Sequence, residues 1–527
     1  MKLKMLTILG SSAAVLALAC GAQSHAAAQG GMRSVEVRAG ELPLVRTMDE
    51  RFQSFQLGFS HLTGGDTWVS YDKLTPEAVK EREYAGDLAA IREPRAPTDL
   101  SNRRFRNLVS ALGPLYIRYG GTTTNTVYFQ DDDAAKLKEA PAGYKSVLTR
   151  KRWREALEFA KAVDAKIYTG FSVGEGVRDE AGVWTPVHAK AWLDYNRSIG
   201  GEIYAAELFN EPNMEGHSNR LGADYDAAKF ARDYAVFRPF ISKAAPQIKL
   251  VGPSDVDTGG GSMAGTPNTE AYLTAEPAPK FDIISYHYYP ALSDRCAPNS
   301  PRGIKAEQAL SEEYLARQDA PFQQRKALRD RFAPGAPIWN TETGGAACGG
   351  TQWQTTFLDS FRFIDTQARL AKQGLDAIFT HAILSGSNGV IDEKTFMPNA
   401  NYWAALAWRK TVGTQVLDAG QIQPGLHVYA HCLRGSPGGV TVMAINLEAT
   451  PASVKVTSPA QIYALTAPEL QSRTVLLNGR PLTLGPGDAV PELLPAKVEG
   501  DRVALAAHSV NFITLPQARN PNCTSAL

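Results

Sequence analysis

A charge imbalance is missing from this chain: 55 Lys and Arg face 54 Asp and Glu among 527 residues, for a net charge of +1. No overall field therefore draws it to nucleic acid or to an anionic membrane, and an acidic ligand has to be met by a local patch. The five cysteines form no CxxC pair, and no His-rich spacing accompanies them, so no metal site is indicated. Past the N-terminus no run is long and apolar enough to span a membrane. The glycine run 259–261 lacks the Gly-Lys-Ser/Thr ending of a phosphate loop, and no internal repeat is present. No metal or organic cofactor is implied. What remains, 44% hydrophobic and 21% charged residues, is the composition of a folded globular protein, long enough for one large domain and one smaller one.

The start, MKLKMLTILGSSAAVLALACGAQSHAAAQ, carries Lys2 and Lys4, an apolar stretch over 5–19 and small residues suited to cleavage near Ala26 or Ala28. That pattern predicts a signal peptide over 1–28 and a secreted or periplasmic protein. Removal of Cys20 leaves Cys296, Cys348, Cys432 and Cys523, an even number that allows three connectivities in an oxidising compartment. Cys432 and Cys523 share the β-rich C-terminal third, which suggests that pairing and, after it, Cys296 with Cys348.

From about residue 54 to 411, short apolar or β-branched runs alternate with longer amphipathic ones. Eight candidate strands stand out: SFQLGFS (54–60), PLYIRYG (114–120), AKIYTGFS (165–172), IYAAELF (203–209), IKLVGP (248–253), FDIISYH (281–287), APIWNTE (336–342) and LDAIFTH (375–381). Helical stretches fall between them at 100–112, 151–163, 225–244 and 356–374, with another at 400–413. Eight such units predict an α/β fold, a (β/α)8 TIM barrel over 50–411, with its active site on the loops at the strand C-termini. Beyond 412 the texture changes to HVYAHCL, GVTVMAINL and HSVNFITL between Gly, Pro and Asn turns, which predicts an antiparallel β-sandwich over 412–520. SVEVRAGELPLV (34–45) has the same texture, so residues 33–49 are expected to join it. The stretches 93–99 and 258–268 read as rim loops.

In AAELFNEPNMEGH (205–217) the fourth candidate strand ends on Asn210, Glu211 and Pro212. Proline cannot donate to a ladder and biases Glu211 toward an extended backbone. Glu342 closes the seventh candidate strand, so a barrel would bring both carboxylates to one mouth. Two glutamates about 5–5.5 Å apart are what a retaining glycosidase needs, one protonating the leaving oxygen and the other attacking the anomeric carbon. Arg118 ends the second strand in YIRYGGTTTNT; a guanidinium there would hold one glutamate ionised, although a purely structural ion pair is an equal reading. Glu342 is therefore read as nucleophile, Glu211 as acid/base, and Asn210 as a ligand for the adjacent sugar hydroxyl. SYHYYP (285–290) brings His287, Tyr288 and Tyr289 to the same rim, to supply a sugar platform and a hydrogen bond to the nucleophile, or as a packed aromatic cluster. Trp339 and Trp403 read as core.

The blocks YIRYGGTTTNTVYF (116–129), ELFNEPN (207–213), DIISYHYYP (282–290), IWNTETGGAACGG (338–350) and VIDEKTFMPNANYWAALAWRKTVGTQVL (390–417), followed by VYAHC (428–432) and VTVMAINLE (440–448), span nearly the whole mature chain. Together they resemble glycoside hydrolase family 79, the heparanase and β-glucuronidase group in the large retaining clan of (β/α)8 barrels. The resemblance implies Glu211 as acid/base, Glu342 as nucleophile and Asn210 at the sugar 2-hydroxyl. It further implies that Gly349 and Gly350 offer backbone N–H groups to a uronic acid carboxylate, consistent with how closely a glycine turn lets an anion approach. A disulfide between Cys432 and Cys523 is implied as well. Asn388 stands where the family often places an aromatic residue that reaches the carboxylate. The loop after the fifth strand, SDVDTGGGSMAG, lacks the basic residues that grip sulfated chains in mammalian heparanases, and their long excised linker is missing. The expected function is retaining hydrolysis of β-linked glucuronic acid in a glucuronide, oligosaccharide or polysaccharide, by a monomer. The alternatives are a retaining β-xylosidase or β-glucosidase, or a catalytically silent carbohydrate-binding barrel.

Overall fold

The computed structural model describes residues 33–85, 89–214, 221–222, 224–259 and 266–524. The expected signal peptide, 1–28, and most of the 258–268 loop lie outside the described residues. Strands Gln53–Gly58, Leu115–Gly120, Ala165–Gly170, Ala205–Glu207, Lys249–Thr258, Ile283–Tyr289, Ile338–Thr343 and Ala377–His381 close into one parallel barrel, the eighth pairing with the first. These are the eight runs picked out by pattern. Every position of Leu115–Gly120, Ile283–Tyr289 and Ile338–Thr343 is buried, which is why the runs read as nearly continuous apolar text rather than as alternation.

Local chemistry sets the helix ends. Asn102, Thr149 and Asp226 each accept a hydrogen bond from a backbone N–H in the first turn of Arg103–Leu112, Arg150–Ala162 and Ala227–Ala244. Phe357–Gln373 stops at Gly374, which takes the left-handed φ of 119° that closes the helix. Helix Asp319–Phe332 escapes the periodicity argument because it buries only Phe322, Arg325 and Leu328, too few apolar positions for a stripe.

Inside the barrel the strands alternate by layer. Tyr116, Tyr168, Trp339 and Phe379 pack as an aromatic floor with Ala205, Val251, Ile283 and Ala377. Two residues further along the second strand, Arg118 lies in a polar layer above that floor, and Gly120 ends the strand at the mouth. A side chain at Gly120 would put its Cβ 2.8 Å from the Arg118 guanidinium, so the glycine of RYGG is what lets Arg118 fold inward.

Helix Ala400–Thr411 runs straight into Val412–Leu417, a member of a nine-stranded sheet. That sheet holds Leu44–Thr47 from the N-terminal side and Leu426–Leu433, Val440–Asn446 and Ser509–Leu515 from the C-terminal side. A second sheet joins Arg33–Val37, Ala452–Val456 and Arg502–Leu505, and Val37, Val442, Val454 and Ile513 pack in the core between them. Both chain ends thus supply strands. One pairing departs from the antiparallel expectation: Arg33–Val37 runs parallel to Ala452–Val456. Among the described residues no helix is long and apolar enough to cross a membrane.

Two disulfides form, Cys296–Cys348 and Cys432–Cys523. The second ties the chain's last described turn to the middle of the large sheet across 91 residues. Replacing both of its cysteines by serine is expected to cost about 2–4 kcal/mol, because a long closed loop strongly restricts the unfolded chain. A thermal melt under non-reducing conditions reads this as a lower Tm, and an unchanged Tm would remove the bond from the stability argument.

Candidate active site

The fourth strand is shorter than its sequence signal. It ends at Glu207, and Glu211 lies four residues on, in a turn that continues into the short helical segment Pro212–Met214. Glu211 does not take the extended backbone expected before proline but a left-handed φ of 54°. A non-glycine residue held there carries strain of about 1–3 kcal/mol, and such strain gathers at functional sites. Its neighbours explain how it is held: the Glu211 N–H donates to the Ser254 carbonyl at 3.1 Å, and the Asn210 N–H donates to Asn125 Oδ1 at 3.1 Å. Asn125 answers with its Nδ2 on the Asn210 carbonyl at 3.0 Å.

Arg118 organises the polar layer. Fully buried, it donates from Nη1 to Glu342 Oε2 at 2.7 Å and to Gln56 Oε1 at 2.8 Å. Its Nη2 donates to Glu207 Oε1 at 2.6 Å and to Asn210 Oδ1 at 2.7 Å. With its oxygen occupied, the Asn210 amide is fixed with its NH₂ as the remaining polar end. The sequence reading balanced a structural ion pair against a catalytic one for Arg118; both contacts are present, to Glu207 and to Glu342.

Glu342 also accepts from the Tyr289 hydroxyl at 2.6 Å. Burial works to raise its pKa, but the nearby charges of His381, His287 and Arg118 and the Tyr289 hydrogen bond outweigh it, holding the carboxyl well below the usual carboxylate range. Arg118 is the firm part of that balance, since burial pushes His381 toward its neutral form while the guanidinium stays charged. Glu211 has a different partner, His287 Nδ1 at 2.9 Å. One carboxylate oxygen of each glutamate and a ring nitrogen of His287 lie within 4.8 Å of one another. Such a trio could in principle hold a cation, but a cation would compete with the guanidinium and the phenol already bound to Glu342.

Both glutamates open into a cleft of roughly 330 Å³ at the C-terminal ends of the strands, where a TIM barrel carries its chemistry. Asn210, Gly349 and Asn388 line it. Asn388 donates to the His381 carbonyl at 3.2 Å. Gly350 sits one step back, where an added Cβ would fall 2.8 Å from the Cβ of Asn388. Tyr288 is a correction. Strand alternation aims His287 and Tyr289 inward and Tyr288 outward, and its buried hydroxyl donates to the Arg317 carbonyl at 2.8 Å instead of facing the cleft.

Several contributors escaped the sequence reading. Glu207 is one, although a glutamate inside an apolar strand needs a buried cation, and that signal was available. It accepts from Arg118, from Ser254 Oγ at 2.8 Å and from the Tyr168 hydroxyl. His381 carried no motif. The cleft's cations also come from an unexpected place: 93–99 is not all loop, because Arg92–Arg95 pairs with Gly65–Trp68 and brings Arg92 and Arg95 to the wall. Arg92 stacks 4.0 Å over the Trp68 ring, and Arg95 is bound to Glu393, Thr67 and Ser60.

Among proteins of known name, the chain is 29% identical to heparanase-like protein 1 of Arabidopsis thaliana over 365 residues, 66% of this chain and 65% of that protein. It is 24% identical to the baicalin-β-D-glucuronidase of Scutellaria baicalensis over 462 residues, 79% of this chain and 84% of that one. A 4-O-α-L-rhamnosyl-β-D-glucuronidase from Fusarium oxysporum shares the fold at TM-score 0.62 and 15% identity, covering 92% of this chain and all of the other. The sequence model of the glycosyl hydrolase family 79 N-terminal domain matches residues 95–368, just over half the chain and the part holding Glu211 and Glu342, so this chain belongs to glycosyl hydrolase family 79.

Proposed function

We propose that this glycoside hydrolase cleaves β-linked glucuronic acid with retention of configuration, through a covalent glycosyl intermediate on Glu342. The observation that carries the mechanism is the separation of the glutamates, whose nearest oxygens lie within 4.8 Å. That matches the close carboxyl pair of a retaining enzyme rather than the wider pair with which an inverting enzyme makes room for its water. Glu342, kept ionised beside Arg118, attacks the anomeric carbon while Glu211 gives its proton to the departing glycosidic oxygen. Glu211, now a base, takes a proton from water, which attacks the same carbon and releases Glu342. Asn210 presents its NH₂ to the sugar 2-hydroxyl, where a hydrogen bond strengthens as charge develops at the ring. The choice of a uronic acid is supported by the names of the relatives and by the glycine turn Gly349–Gly350 beside the cleft. An exported monomer completes the reading; two disulfides support the export.

The test is a 2-deoxy-2-fluoro-β-glucuronosyl fluoride, which slows turnover of the intermediate. Mass spectrometry should find the sugar on the peptide carrying Glu342, and proton NMR should show the β-anomer of glucuronic acid forming first from a natural glycoside. A label on another residue, or first release of the α-anomer, would refute the mechanism. Faster hydrolysis of 4-nitrophenyl β-D-glucoside or β-D-xyloside than of the β-D-glucuronide would refute the substrate class.

A further inference from the structure

Behind the glycine turn lies a buried cation that the mechanism does not use. Arg295 is fully buried, and among the described residues no carboxylate lies within 4 Å of it. Its partners are backbone carbonyls. Nη1 donates to Gly349 at 2.9 Å, to Gly350 at 3.2 Å and to Cys348 at 3.3 Å, and Nε donates to Val69 at 2.9 Å. The guanidinium stacks 3.7 Å over the ring of Tyr71, whose hydroxyl donates to the Gly350 carbonyl at 2.7 Å. Ser293 Oγ adds a bond to the Cys348 carbonyl at 3.0 Å, and Cys296, the residue after Arg295, is disulfide-bonded to Cys348.

Three consecutive residues, Cys348, Gly349 and Gly350, take left-handed φ values of 61°, 78° and 80°. A run of this kind is costly, most of all at the non-glycine residue, and needs surroundings that over-determine it. Arg295 supplies them by gathering three successive carbonyls on one side. In a trans peptide the N–H points opposite to the carbonyl, so the N–H groups of Gly349 and Gly350 turn to the other side, away from Arg295. Cys348 and Gly349 line the cleft and Arg295 does not. The buried charge therefore polarises donors on the cleft side of the turn, from a position where no carboxylate among the described residues is paired with it.

We infer that Arg295 is a specificity-determining positioning residue, one that makes the Cys348–Gly350 turn an anion cradle selecting a carboxylate at the sugar's C5 over a neutral hydroxymethyl group. This rests on the glucuronidase reading and adds the residue that produces the preference. Arg295 touches no reacting atom, and its effect belongs in the recognition of charged against neutral sugars.

The experiment compares kcat/KM for 4-nitrophenyl β-D-glucuronide and β-D-glucoside in wild type, Arg295→Met and Arg295→Lys, with Tm measured on each. A wild type that does not favour the glucuronide would overturn the glucuronidase reading itself. If it does, Arg295→Met should lower the glucuronide-to-glucoside ratio about tenfold or more, as for loss of a charge-assisted contact, chiefly through KM for the glucuronide. Arg295→Lys, which keeps the charge but not the fork, should fall between. An Arg295→Met protein that melts like wild type and keeps the wild-type ratio overturns the inference. Should that variant fail to fold, Tyr71→Phe removes one carbonyl bond of the same turn, and the ratio should fall severalfold; an unchanged ratio there likewise overturns it.

Discussion

Glu342→Gln is expected to lower kcat on an aryl β-glucuronide by about 10⁴-fold or more, the scale seen when a covalent catalyst is removed from an otherwise intact site. The fold should survive, since the amide can still accept from Arg118 and Glu207 still neutralises the guanidinium. Glu211→Ala should behave differently on the same substrate. An aryl oxygen leaves without much acid help, so intermediate formation persists, while water attack loses its base, a step worth about 10²–10⁴-fold. Azide, which needs no base, should then restore turnover in Glu211→Ala and not in Glu342→Gln. A Glu342→Gln preparation free of wild type that keeps more than about a hundredth of the activity would exclude this residue as nucleophile.

Arg118→Met carries the second large effect, on stability and on the pH profile together. Breaking a buried ion pair by removing one partner costs about 3–5 kcal/mol, and Arg118 serves two buried carboxylates, Glu207 and Glu342. The pH dependence follows from the sign of the Glu342 shift. In the wild type its pKa is depressed, so its contribution to stability is present above the unfolded glutamate pKa of about 4.3 and is lost as pH falls through the folded value. Without the cation that contribution shrinks, and the stability gap between wild type and variant should narrow as the pH is taken below about 4. The acid limb of kcat/KM that reports nucleophile protonation should move to higher pH in Arg118→Met. Denaturant melts across pH and a pH–rate profile measure both, and an acid limb that stays in place would mean that Arg118 does not control the charge on Glu342.

The barrel was legible because its eight strands are buried on both faces, which writes them as apolar runs that need no alternation to be seen. Glu211 and Glu342 were legible for the opposite reason, as carboxylates at the ends of such runs. Tyr288 was misread because two adjacent tyrosines look equivalent in a list, whereas a strand sends neighbouring side chains to opposite faces. Helix Asp319–Phe332 and the Gly65–Trp68 and Arg92–Arg95 pair were missed because few of their residues are apolar, so neither period rises above the background.

The sequence by itself determined the fold class, the pair of glutamates and the family resemblance, all of which rest on local pattern and on residue types at strand ends. Tertiary structure alone decided the roles of Glu207, His381 and Arg295, and that Tyr289 is the member of its cluster that bonds Glu342. Each acts on a residue far away in the chain, as Arg118 does on Glu342, 224 positions later. A buried charge advertises in sequence only that it must have a partner. Which partner it has, and whether that partner is a carboxylate or three carbonyls of one turn, is set by strand register and loop closure, and these exist only once the barrel is formed.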